Sequence, residues 1–190
     1  MSFKNINNKI LNTSIEYDSI FLNNSSENFE SIIDKISNEK NFYGILASLE
    51  KIKLQLSNKK FKEANDAYKK LLQNKNITNI YKSAIAIHAS YSLLKQIDII
   101  KDFSLKRDDI KTISENIESY LLFVDQNLES YQGFKLEILF LLSIIEQDLN
   151  KQLLISETTN NLYKKIQENE KIQLSIKERV NKIYEFQKYK

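Results

Sequence analysis

The chain holds one histidine, His88, and no cysteine. An imidazole titrates near neutral pH and can move protons or bind a metal. Zinc needs three or four nitrogen or sulfur ligands from the protein. One histidine without cysteine leaves that set incomplete, and it leaves few nucleophile–base pairs. His88 therefore reads as a structural or groove-lining residue. No phosphate-binding Gly-rich loop and no Gly-x-Ser-x-Gly elbow occurs. The adjacent carboxylates Asp108 and Asp109 lack calcium-loop spacing. They sit where a helix begins, and negative charge there suits the positive end of the helix dipole. The residues thus point away from catalysis, and toward no cofactor and no metal. Binding chemistry remains. Tyr81, Ala84, His88, Tyr91 and Lys95 share one stripe at helical spacing. Lysine pairs such as Lys69-Lys70 and Lys164-Lys165 read as solvated faces. Tyrosines beside them offer amphipathic surface for an acidic or extended peptide.

The elements that must carry this stripe are helices. There is no proline and there are two glycines, whereas sheets and sandwiches need many turn-formers. Apolar residues make up 42% of the 190, which is too many for disorder and enough for the core of one domain, 1–190. The net charge of +3 is too balanced for a nucleic-acid partner. All but two of the basic residues are lysine, whereas base and phosphate forks favour arginine. The most apolar run, Ile138 to Ile145, is far shorter than the ~20 residues of a membrane-spanning helix. Absence of cysteine leaves the redox compartment undetermined.

Apolar spacing predicts about nine antiparallel helices. The first two, 4–23 and 27–38, are split by Asn23-Asn24-Ser25-Ser26. Phe42, Ile45, Leu46, Leu49, Ile52 and Leu56 predict a third, with Asn41 as its N-cap. The short polar break 57–60 must fold the next helix back antiparallel. That helix carries Phe61, Ala64, Tyr68 and Leu71, and the small Ala64 between large neighbours lets a partner helix approach. Helix five, 79–100, follows Thr78. It is apolar nearly all round, which predicts a place at the centre. Residues 101–109 read as a loop. Helix six spans 110–126, helix seven 131–149 with Ser130 as cap, and helix eight 152–169; helix seven is the most apolar and is expected to be buried with helix five. Ser175-x-x-Glu178 reads as a capping box opening a last helix.

Two stretches echo each other. ANDAYKKLLQN at 64–74 returns as TNNLYKKIQEN at 159–169, with Tyr163 for Tyr68 and Thr159 for Ala64. Gly44 and Gly133 stand near the start of the preceding helix each time. This predicts a repeated helical hairpin.

The pattern F-x-x-A-x-x-x-Y at 61–68 resembles the second helix of a tetratricopeptide repeat. More specifically, YGILASLEKIKLQLSNKKFKEANDAYKKLL at 43–72 resembles the core of the ancillary subunit of the bacterial Sec translocon. The matching positions are Tyr43, Ala47, Ser48, Leu49, the polar turn and Ala64. That family is tetratricopeptide-like and membrane-anchored, and its soluble domain faces the periplasm. The resemblance implies an all-α, tetratricopeptide-like right-handed array of helical hairpins. It implies a non-catalytic, protein-binding scaffold whose partners are translocon subunits or periplasmic chaperones. The working place would be the periplasmic face of the inner membrane if an upstream anchor exists. Without an anchor the chain reads as a cytoplasmic adaptor of the same build. In a curved array the concave groove binds. The polar faces of helices three and five are its expected walls, with Lys53, His88, Tyr91 and Lys95 as contact residues.

Overall fold

A computed structural model describes residues 3–22, 29–100 and 107–188. Among them there are nine helices and no strand, so the chain is all-α. The helices are α1 (Phe3–Leu22), α2 (Phe29–Ser37), α3 (Phe42–Ser57), α4 (Phe61–Gln73), α5 (Asn79–Ile100), α6 (Arg107–Leu121), α7 (Glu129–Ile145), α8 (Leu149–Glu168) and α9 (Leu174–Lys188). The break expected at 23–26 lies outside the described residues. So do 101–106 of the expected loop, and the side chains of Asp108 and Asp109. Residues 107–109 are helical, not loop. The chain divides into two compact units, Met1–Asn76 and Ile77–Lys190.

In the first unit α1 packs on α2 and α3, α2 on α3, and α3 on α4. Tyr17, Ile33, Ile36 and Ala47 form a core, walled by Phe29, Ile32, Tyr43, Leu46 and Leu54. Ala64 and Tyr68 are fully buried on α4, as the small–large spacing predicts. Asn41 caps α3 by accepting from the Gly44 N–H at 3.1 Å. The turn into α4 closes tightly: Lys60 N–H donates to the Gln55 carbonyl at 2.8 Å. Lys59 takes a left-handed φ of 58° there. Ion pairs Lys9–Glu39 (2.7 Å) and Lys35–Glu16 (2.8 Å) fasten α1 to the end of α2 and the turn after it.

In the second unit α5 packs on α6 and α7, and α7 packs also on α8 and α9. The centre is therefore α7 rather than α5. Leu136, Ile138 and Leu142 of α7 are fully buried. Gly133 brings α7 against α9: a Cβ there would lie 3.0 Å from Ile176 Cγ2. Helix α5 is buried on several sides as its pattern predicts, with Ser83, Ala86, Ala89, Ser90 and Leu93 all at 0% exposure. Ile80 and Tyr81 at its start are exposed.

Several helix boundaries differ from the sequence reading, and at the ends of α6 and α7 side chains supply the turn that glycine or proline would otherwise mark. Helix α7 starts at Glu129, so Ser130 lies inside it and caps nothing. It ends at Ile145, and Glu146 Oε1 accepts from the N–H groups of Gln147 (2.9 Å) and Asp148 (3.0 Å). Asp148 then caps α8 by accepting from Asn150 and Lys151. Helix α9 starts at Leu174, which places Ser175 inside it, with no capping bond from its hydroxyl. Helix α6 ends at Leu121, because Asp125 organises the next turn. Its carboxylate accepts from Asn127 N–H and from Asn79 Nδ2, both at 2.9 Å. Its own N–H donates to Ser83 Oγ at 2.9 Å.

The two echoed stretches end alike. Asn74 and Asn169 are the C-caps of α4 and α8. Each side-chain oxygen accepts from the N–H two residues on, Asn76 and Lys171, at 2.9 Å in both. Three residues after each asparagine an isoleucine is buried, Ile77 at 4% and Ile172 at 5% exposure. The asparagine takes the place of the missing proline by folding the chain through its own side chain.

The Asp125 turn sets a pH dependence. Hydrogen bonds from Asn127 and Asn79 hold its pKa below the ordinary 3.8. A depressed carboxyl contributes stability that is present above its unfolded pKa. That contribution is lost as pH falls through the folded value. Asp125→Asn is expected to melt below the parent at pH 7, and the gap should narrow as pH falls through and below the ordinary carboxyl range. Thermal melts from pH 2 to 7 check this. A gap that stays constant with pH overturns it.

Candidate functional site

Helices α5, α7 and α9 lie side by side, and their shared face carries the candidate site. Tyr91 of α5 hydrogen-bonds to Glu137 of α7. Arg179 of α9 donates to Glu137 Oε2 from the other side. The carboxylate thus bridges three helices. Arg179 also lies over the Phe134 ring, 5.0 Å from its centroid. A guanidinium on an aromatic face gains a cation–π contact, so its plane is set by a ring below and a carboxylate beside. Burial raises the Tyr91 pKa well above 10, and Glu137 raises it further. The phenol stays protonated at any physiological pH. It can donate a hydrogen bond and cannot act as a base.

His88 is exposed one turn before Tyr91, and Lys95 is exposed one turn after it. Burial against the helix surface still lowers the His88 pKa below 6.5, so the ring is neutral at pH 7. Lys95 makes no ion pair among the described residues. The expected stripe of His88, Tyr91 and Lys95 is therefore brought together on one face. Lys53 belongs to the first unit. It is exposed on α3, 3.6 Å from Glu50.

Sequence reasoning missed Glu137, Arg179 and Phe134. One signal was available. Arginine occurs only twice in this lysine-rich chain, and Arg179 stands on a helix that otherwise uses lysine for solvated charge. Glu137 gave no signal, because a glutamate in an apolar helix does not reveal which neighbours it faces.

Lys135, also on α7, reaches the opposite way. Its Nζ donates to the Leu121 carbonyl at 3.1 Å, closing the C-terminal end of α6. Burial lowers its pKa from 10.5.

The first unit holds a cleft of about 230 Å³ along α3, floored by Gly44, Ser48 and Ala67. Small side chains on two helices leave this space. Its hydroxyl Ser48 Oγ already donates to the Gly44 carbonyl (2.7 Å), and Lys51 is paired with Asp34 (2.7 Å). Lys53 does not line it.

Among the described residues no cluster of three or more His, Asp or Glu side chains could hold a metal ion. No helix among them is long and apolar enough to cross a membrane. In comparisons with known proteins the chain matches no family model, no curated protein and no solved structure.

Proposed function

We propose that this protein is a non-catalytic protein-binding scaffold, built as a tetratricopeptide-like right-handed array of helical hairpins. The observation that carries the reading is the α5–α7–α9 face. There Tyr91, Glu137 and Arg179 lock three helices together and leave His88, Lys95 and an arginine–aromatic stack at the surface. Such a face is amphipathic and carries a tyrosine and an arginine stacked on a phenylalanine ring, and tyrosine and arginine are the residue types enriched in binding hot spots. The repeat reading draws support from packing order. In each unit an odd-numbered helix packs on the next helix and on the next but one. It draws further support from the matching asparagine turns after α4 and α8.

The resemblance at 43–72 makes the bacterial envelope the working place, with translocon subunits or periplasmic chaperones as partners. The test is a crosslinking pull-down from the native envelope, with the parent chain and a Lys95→Glu, Arg179→Glu variant. The expected result is recovery of envelope partners by the parent, reduced at least tenfold in the variant. Equal recovery by both would remove this face from the reading. Recovery of cytosolic partners alone would favour the cytoplasmic adaptor.

A further inference from the structure

The cleft of the first unit is long rather than round. Gly44, Ser48, Lys51 and Gln55 line it from α3, at steps that keep to one face of the helix. They span about 16 Å along the axis. The turn after α2 walls one side, and α4 from Ala67 to Asn74 walls the other. Two groups on these walls have bonding capacity that the fold does not use. Gln55 Oε1 is buried and accepts from no donor. The rest of that side-chain amide makes no hydrogen bond among the described residues either. Lys70 is exposed on α4 and has no ion pair among the described residues. The other charges on the cleft are met. Lys51 is paired with Asp34 at 2.7 Å, and Glu39 with Lys9 at 2.7 Å. The charge left over at the cleft is therefore positive.

We propose that this cleft binds a short extended peptide segment carrying a carboxylate side chain. Its length selects an extended chain, since about four residues at ~3.3 Å each fit along the α3 floor. Gln55 selects a peptide. Its amide offers an acceptor and two donors, the complement of a backbone N–H and C=O. A buried acceptor left unpaired is costly, and a peptide N–H removes that cost. The last torsion of a glutamine side chain is soft, so Oε1 turns to the cleft without moving α3. Lys70 selects the acid, because an ammonium beside a carboxylate makes a charge-assisted hydrogen bond. The floor at Gly44, Ser48 and Ala67 is shallow in side chain, which lets a backbone lie close to the helix. The site lies wholly within the first unit, so it stands or falls independently of the α5–α7–α9 face.

The test is titration of the nitrogen-labelled full chain, followed by amide NMR, with an acetylated and amidated alanine tetrapeptide holding one glutamate. Concentrations up to about 5 mM cover weak affinities. The expected shifts fall on 37–39, 44–55 and 67–74. The same peptide with lysine for glutamate is expected to bind the parent about tenfold more weakly. Lys70→Glu should reverse that order, preferring the lysine peptide. Lys70 is exposed, so this variant keeps the core intact. Gln55→Leu should lose binding while melting no lower than the parent, because it removes an unpaired buried oxygen. A cleft that holds only solvent gives no shifts with the glutamate peptide, and that result overturns the proposal. Equal binding of both peptides by the parent, or unchanged binding by Gln55→Leu, overturns it too. Inorganic phosphate producing the same shifts at the same concentration would show a bare anion site and overturn the peptide.

Discussion

Gly44→Ala is expected to cost the first unit about 2–4 kcal/mol, by overpacking against backbone that cannot move aside. A Cβ at this position would lie 2.0 Å from the Glu39 carbonyl oxygen, 2.9 Å from its carbon and 3.2 Å from the Ile36 oxygen. All three are main-chain atoms of the turn that ends α2. That turn is held by Glu39 N–H donating to the Ile36 carbonyl at 2.9 Å. The start of α3 is held in turn by the Asn41 cap on the Gly44 N–H. Neither side has a flexible end that can swing away. In an open helix the same substitution would stabilise by about 1 kcal/mol through propensity, so the sign of the result is diagnostic. Urea unfolding, with hydrogen exchange read over 29–57, is the measurement. An unchanged or raised midpoint would show that α2 does not approach α3 this closely. Gly133→Ala supplies the contrast. Its new Cβ would meet only the Ile176 methyl at 3.0 Å and the Val180 methyl at 3.6 Å. Side-chain methyls can yield by a few tenths of an ångström, so a loss below about 1 kcal/mol is expected there.

Leu136→Ala is expected to destabilise the second unit by about 3–5 kcal/mol. Leu136 is fully buried and packs with Ile166, Ile172 and Val180. These come from α8, from the asparagine turn after it and from α9, so one side chain joins three segments to α7. Removing it loses transfer free energy and leaves a cavity that rigid helices cannot close. Around it Leu162, Tyr163, Ile176 and Ile183 complete the shell. Tyr163 stacks on Tyr184 at 3.9 Å, and its hydroxyl donates to Asn181 at 2.7 Å. That stack restrains the neighbours from collapsing inward. Leu149→Ala, removing the same atoms from a 74% exposed position, should change the folding free energy by less than about 0.5 kcal/mol. Thermal and urea unfolding of the two variants side by side checks this. Equal effects would mean that burial does not separate the two leucines.

The comparison of these two leucines marks where sequence reading stops. Both stand in helical, leucine-rich stretches, and apolar spacing assigns each to a helix. Spacing does not say whether another helix covers that face. The same holds at the candidate site. Tyr91 was legible as part of a stripe with His88 and Lys95, because all three lie on one helix at local spacing. Glu137 and Arg179 are 46 and 88 residues further on, and only the packing of α5, α7 and α9 brings them to the same phenol. Lys53 shows the converse. A polar helix face predicts exposure correctly, yet it does not assign a residue to a shared surface.

What the residues determined by themselves was local. The absence of proline and the periodic apolar stripes dictated helices. The small Ala64 and the large Tyr68 dictated a close crossing on α4, and Asn41 dictated where α3 begins. These follow from side-chain size, spacing and hydrogen-bonding reach over a few residues. Tertiary structure decided the rest. It made α7 rather than α5 the centre of the second unit. It moved the ends of α6 and α7 to turns built by Asp125, Glu146 and Asp148. It gave Gly44 and Gly133 different neighbours, a backbone and two methyls. The physical reason is the same each time: a carboxylate or a glycine takes its role from the atoms placed opposite it, and those come from distant parts of the chain.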